Sequence, residues 1–265
     1  MHGVPVPPAH MPMFRGRRPL KRWRYVGAYG PEVMACVGDA RIGPMHQRFW
    51  AVCEPGRPVS ARTTLSRGGV RIEGSRALVE HGDVHIDLMV DEEDGVATLH
   101  PSGAGGYVWT RKQAGVPVQG SVSVAGRSYA LDCLGAVDDT AGYHQRHTVW
   151  TWSAGVGRGA GGERVGWNLV AGVNDRAVDS ERCIWIDGAP REVGPVSFAA
   201  DLSQVSFAEG GALGFTSWGA REDRTNVLLL RSSYRQPFGT FAGELPGGVR
   251  LAEGYGVMEW HDVWW

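Results

Sequence analysis

Lysine is almost missing from this chain. Only Lys21 and Lys112 occur, so arginine carries nearly all of the positive charge, and the formal net charge is −1. That balance excludes a protein-wide electrostatic footprint for nucleic acid. Cysteine is scarce too: Cys36, Cys53, Cys133 and Cys183 include no C-x-x-C pair and match no zinc spacing. They read as buried, reduced thiols of an intracellular protein. No stretch approaches the roughly 18 apolar residues of a membrane span. The opening MHGVPVPPAHMPMFRGRRPLKRW has no apolar core of a signal peptide. The chain is therefore expected to be soluble and cytoplasmic. Also lacking are a helical stripe longer than about two turns, a P-loop and a G-x-S-x-G. The glycine-rich VGRGAGGERVG lies between strand-like segments rather than opening a helix, which argues against a phosphate cradle.

What is abundant is glycine, at 39 residues, and a period of two. VHIDLMV sets Val84, Ile86, Leu88 and Val90 on one face and His85, Asp87 and Met89 on the other. HTVWTWSAGV, RVGWNLVAGV, RCIWID, NVLLLRSSY and GVRLAEGYGVMEWHDVWW are β-branched and aromatic, and GG, DG and PGG turns bound them. Short strands at this spacing predict an all-β sandwich or barrel. The first 20 residues hold five prolines and form an irregular arm. Its basic residues, Arg15, Arg17, Arg18, Lys21, Arg22 and Arg24, read as a solvated, partly packed lead-in. Eight of the eleven tryptophans lie after residue 140, and VDDTAG marks a boundary there. The chain divides on this reading into residues 1–140 and a tryptophan-rich 141–265. No sequence repeat is visible, so any symmetry between the halves has to be structural.

Three segments carry candidate chemistry. GYHQRHTVWTWSAG brings His144 and His147 close to Trp150 and Trp152. In a regular strand His144 and His147 fall on opposite faces, so one of them at most points into a cavity with the neighbouring aromatics. EGYGVMEWHDVWW sets Glu253, Tyr255, Glu259 and His261 on one face of the last strand. If that face meets solvent it is an ordinary wet sheet. If it lines a barrel interior, burial shifts the pKa values, and Glu259 becomes the preferred proton donor, with His147, Glu253 and His261 as its catalytic companions. On this reading His147 shares one cavity with that face, while Trp150 and Trp152 pack outward from it or against the other half. RSSYRQPFG and WNLVAGVND add Tyr234, Arg235, Trp167 and Asn168 as ligand-orienting candidates, beside Tyr143, His144, Trp150, Trp152 and Tyr255. HGDVHIDLM alternates His81, Asp83, His85 and Asp87. His85 and Asp87 with a remote His144 or His261 would make an iron site, but a polar outer face explains the pattern fully, and no metal or cofactor is expected.

LKRWRYVGAYGPEVMACVG, GYHQRHTVWTWSAGVG, VGWNLVAGVND and the ending YRQPFGTFAGELPGGVRLAEGYGVMEWHDVWW together resemble the bacterial group called domain of unknown function 2804. The group is distantly similar to a superfamily that includes carotenoid hydratase, AttH-type proteins, tocopherol cyclase and cofactor-free polyketide cyclases. The resemblance implies two packed lipocalin-like β-barrels with a ligand cavity near their junction. The wider family has an aromatic, an acidic residue and a His on entering the second barrel. Tyr143 and His147 match the first and last, but Arg146 replaces the acid, so no protonating carboxylate carries over to that position.

The expected protein is thus all-β, with two lipocalin-like halves packed together. It binds an apolar or amphipathic small molecule (an isoprenoid, polyketide or fatty-acyl compound) and performs cofactor-free hydration, isomerisation or cyclisation. The alternatives are a non-catalytic carrier on the same barrel and, behind it, a metal-dependent oxygenase-like barrel.

Overall fold

The computed structural model describes residues 3–65, 68–103, 105–227 and 230–265, and no helix occurs among them. The arm begins with a two-residue ladder, β1 (Phe14–Arg15) on β2 (Arg18–Pro19). A first antiparallel sheet follows, from β3 (Lys21–Tyr29), β4 (Met34–Ile42), β5 (Met45–Cys53), β6 (Ser60–Thr64), β7 (Val70–Glu73), β8 (Arg76–His81), β9 (Val84–Val90), β10 (Val96–Pro101), β11 (Tyr107–Val124) and β12 (Arg127–Gly142). The second sheet holds β13 (His147–Gly159), β14 (Arg164–Ala171), β15 (Cys183–Ile186), β16 (Ala189–Glu192), β17 (Val196–Phe198), β18 (Gln204–Phe207), β19 (Ala212–Val227), β20 (Leu230–Leu245) and β21 (Val249–Trp264).

The two sheets share one topology. Their orders are β6-β5-β4-β3-β12-β11-β9-β8-β7, with β10 also on β11, and β16-β15-β14-β13-β21-β20-β19-β18-β17. In each, four strands meander outward, the chain crosses to the far edge, and five strands meander back until the last pairs with the first. β3 on β12 corresponds to β13 on β21. The symmetry between halves is structural, since no sequence repeat underlies it.

Alternation explains why each curled sheet has its own core. β9 buries Val84, Ile86, Leu88 and Val90 in strict period two. These join Val26, Val37, Val79 and Val118 inside the first sheet. The second sheet encloses Trp167, Leu169, Phe241 and Met258. A third cluster lies between the sheets. Tyr25, Met34, Cys36 and Ala51 from the first meet Trp152, Val156, Phe238 and Val257 from the second. All four cysteines are free thiols.

The proline-rich arm is packed rather than loose. Tyr107 and Tyr143 donate from their hydroxyls to the carbonyls of Pro5 and Pro12, each at 2.6 Å, and Met11 is buried beneath them. No helix among the described residues is long and apolar enough to cross a membrane.

Candidate functional site

A cavity of about 150 Å³ opens between the two sheets. β3, β4, β5, β11 and β12 form one wall; β13, β14, β19, β20 and β21 form the other. Its lining combines aromatic rings, Trp23, Tyr25, Phe49, Trp150, Trp152, Tyr234 and Trp265, with many charged and hydrogen-bonding groups.

Glu259 is the most constrained of these groups. Its Oε1 accepts from the Trp150 indole at 2.8 Å, and its Oε2 accepts from the Tyr234 hydroxyl at 2.8 Å and from Gln236 Nε2 at 3.1 Å. The residue is buried, and burial raises its pKa. The Tyr234 and Trp150 hydrogen bonds and the nearby Arg221 charge pull the other way without cancelling it. Oε1 has one donor where Oε2 has two, so a proton on this carboxyl belongs on Oε1.

Two imidazoles face the same space. His261 lies 4.3 Å from the Trp150 ring and 5.0 Å from Tyr234, with Nε2 at 2.7 Å from Ser232 Oγ. His144 stacks on Trp23 at 5.2 Å, and its buried Nδ1 has no hydrogen-bond partner. Burial pushes both rings down to about 3, so both are neutral at physiological pH. His261 is only half-buried by surface, because one side of its ring opens onto the cavity and not onto bulk water.

A second polar group sits across the cavity. Lys112 Nζ lies 2.5 Å from Asp138 and 3.7 Å from Glu181, and Asp138 also accepts from Trp23 Nε1 at 3.2 Å and Thr140 Oγ1 at 2.9 Å. Lys112 is one of the chain's two lysines, and the other, Lys21, is also buried, with its ammonium 4.6 Å from the Trp265 ring.

Cross-strand register decides which expected residues arrive. β13 pairs Trp150 with His261 and Trp152 with Glu259, and directly opposed residues share a face. Trp150 and Trp152 therefore line the cavity beside the acid rather than facing outward, and Trp152 also meets Tyr25 of the other half edge-on at 5.6 Å. The same register opposes His147 to Trp264, which sends His147 outward. It stacks on Trp264 at 4.2 Å, bonds Asp262 at 2.8 Å and stays exposed. His144 and not His147 is the inward histidine.

Other candidates are placed elsewhere. Glu253 is six positions before Glu259, roughly 20 Å along the strand, and it is exposed near Arg158. Tyr255 packs on Trp218 outside the cavity lining. Arg235 points to the opposite face from Tyr234 and pairs with Glu222 at 3.2 Å. Tyr143 is held under the arm. Trp167 faces the second core, donating to Ser153 Oγ at 3.0 Å. Asn168 stands just behind the lining, accepting from Trp152 Nε1 at 2.8 Å and donating to the Glu181 carbonyl at 2.8 Å. His85 is exposed and Asp87 pairs with Arg76 at 2.7 Å, so the alternating His/Asp face looks outward. Among the described residues no group of three His, Cys, Asp or Glu side chains is arranged to hold a metal. Sequence reasoning missed Trp23, Lys112, Asp138, Glu181 and Arg221.

The comparisons with known proteins fit this architecture. Solved structures similar to this chain include an AttH-type protein from Nitrosomonas europaea, at TM-score 0.60 and 14% identity, covering 97% of this chain and 98% of that one. Kievitone hydratase from Nectria haematococca aligns at TM-score 0.57 and 14% identity, over 90% and 88% of the two chains. CghA aligns at TM-score 0.52 and 10% identity, over 92% and 87%. At these identities the likeness concerns the fold. No protein of curated function matches the chain in sequence. The model for "domain of unknown function (DUF2804)" matches residues 57–265, most of the chain, and the protein belongs to that family.

Proposed function

We propose that the protein binds an apolar or amphipathic small molecule in the cavity between its two β halves, and that it carries out cofactor-free acid/base chemistry there. The observation that carries this reading is Glu259: a buried carboxyl with raised pKa, open space beside it and an aromatic wall around it. A carrier needs an apolar cavity with polar groups only at the mouth. A deep acid flanked by two neutral imidazoles favours catalysis instead.

Each residue has a definable task on this reading. Glu259 holds a proton on Oε1 and delivers it to an alkene or carbonyl of the bound molecule. Tyr234, Gln236 and Trp150 fix the carboxyl and take up the charge left after transfer. His261, oriented by Ser232, receives a proton from water or from the substrate. His144 adds a neutral ring to the wall of the same cavity. The resulting reactions are hydration, isomerisation or cyclisation, and the structural neighbours include one named as a hydratase.

The test is to purify the protein natively, extract and identify the small molecules it retains, and follow them by mass spectrometry with wild type and Glu259→Gln. Glu259→Gln should keep the fold and the bound molecule and lose turnover. Retention of an unchanged molecule by both proteins would leave the carrier reading in its place.

A further inference from the structure

We propose that the molecule held between the sheets is an acid, and that Arg221 receives its carboxylate. The proposal rests on the cavity reading above and narrows its ligand. Arg221 is 6% exposed, sits on β19 and lines the cavity. Its guanidinium lies between the Phe49 ring of the first sheet, at 4.2 Å, and the Tyr234 ring of the second, at 4.7 Å. One protein hydrogen bond holds it, from Nη2 to Thr63 Oγ1 at 3.0 Å. Among the described residues no carboxylate forms an ion pair with it. None of its nitrogens is a buried orphan, so the donors that Thr63 leaves free open onto the cavity.

Lys112 and Arg182 have partners spread over their donors, and Arg221, among the described residues, has only one. Lys112 has Asp138 and Glu181. Arg182 donates to the carbonyls of Arg176, Val193 and Gly194. Lys21 also lacks a carboxylate, but a lysine can shed its proton, and burial draws it down to about 7. Arginine has no such escape. Glu259 feels the Arg221 charge only through space: no ion pair joins the two, its oxygens bond Trp150, Tyr234 and Gln236, and burial favours its neutral form. Asp223, the remaining acid of the lining, is half-buried, and its Oδ1 accepts from Thr225.

A buried cation without a counterion is costly unless something else supplies the charge. A planar fork clamped between two rings, with free donors facing a cavity, is shaped for the two oxygens of a carboxylate. The entrance is biased the same way. Arg22 and Arg41 stand directly opposite each other across β3 and β4, both exposed, both lining the cavity and neither in an ion pair among the described residues. Like charges so placed repel one another and draw anions towards the opening. The ligand class is therefore a small acid with an apolar or aromatic body that rests on Trp150 and Trp152.

A matched pair of probes tests this. Isothermal titration calorimetry would compare 2-naphthoate with its neutral counterpart 2-naphthamide, on wild type and on Arg221→Met, with Arg221→Gln as a second variant should the first fail to fold. Wild type should bind naphthoate at least about tenfold tighter, a gap of about 1.4 kcal/mol. The variant should lose that preference and keep its affinity for naphthamide. Without ligand, the variant should also melt at a higher temperature than wild type, since a buried unpaired charge is gone. Equal affinities in wild type, or a preference that survives in the variant, would overturn the acid assignment while leaving the apolar cavity intact. A lower melting temperature would show that Arg221 serves packing, and would overturn it too. Binding of neither probe would count against both the acid assignment and the cavity reading.

Discussion

Acid should destabilise this protein through its buried histidines before its carboxylates protonate. His144 is 3% exposed, and burial lowers it from an ordinary 6.5 to about 3. The folded state therefore favours the neutral ring. The stability this contributes is fully present above the unfolded value, and it is lost as pH falls from 6.5 towards 3. Within that window the unfolded chain binds one proton more than the fold, so stability drops by about 1.4 kcal/mol per pH unit. From about pH 7 to about pH 4.5, His144 alone costs about 2.5 kcal/mol. His100, 2% exposed and lowered to about 4 with an unpartnered Nδ1, adds a similar amount. Together that is about 5 kcal/mol, comparable with the whole stability of many domains. Glu259 and Glu181, whose pKa values burial raises, oppose the trend, because the fold holds their protons at pH values where the unfolded chain has released them. The variant His144→Gln isolates the histidine from that background. Urea denaturation across the range should give a shallower pH dependence for the variant, by about 2 kcal/mol between the two ends. Identical slopes for the two proteins would refute the assignment of His144 as a neutral, desolvated ring.

Further outcomes follow from packing. Trp167→Ala removes a fully buried indole from the second core and should cost about 3–5 kcal/mol in urea denaturation. Gly155→Ala places a methyl 2.1 Å from the Trp167 ring and should destabilise by about 1–3 kcal/mol, seen as a lowered unfolding midpoint. His147→Ala should leave small-molecule binding by calorimetry unchanged and cost less than about 1 kcal/mol, because the ring is exposed and its Asp262 contact lies at the surface.

The architecture was legible because its physics is local. Alternation in VHIDLMV reappears residue for residue in β9, and most turn-bounded segments became strands; NVLLLRSSY did not, since β19 ends at Val227 and β20 begins at Leu230, with 228–229 outside the described residues. The site was legible only in part because faces are set across strands. The alternation of EGYGVMEWHDVWW correctly puts Glu259 and His261 together, yet nothing local says that Trp150 opposes His261 and His147 opposes Trp264. A one-residue slip in that pairing would have exchanged the two histidines. Arg221 was hidden for a related reason. REDRTN is polar at every position, so neither face of that strand announces itself as buried. A bulge between Ser217 and Gly219 then resets which positions turn inward. The signal that could have marked Lys112 and Lys21 was rarity: a chain with two lysines buries both.

The location of the cavity follows from the repeated topology. Each sheet closes on itself only at the pairing of its first and last strands, and each fills its own concave side with aliphatic and aromatic residues. The convex faces around those two closing pairs, β3 with β12 and β13 with β21, are what the sheets turn toward each other. Near Cys36 and Val257 that contact is dry and packed. Toward Trp265 it parts, and there the side chains include Asp138, Glu259 and His261, which a close-packed seam would not tolerate without partners. Burying so many ionisable groups is expensive for a seam whose only purpose is to hold two halves together. The hydrogen bonds that satisfy Glu259 and Asp138 recover part of that cost. The Nδ1 of His144 has no partner, and Arg221 has one hydrogen bond and two ring contacts but, among the described residues, no carboxylate in an ion pair with it. Polar groups left unsatisfied at a gap between two well-packed cores are what a binding site requires and a structural seam does not.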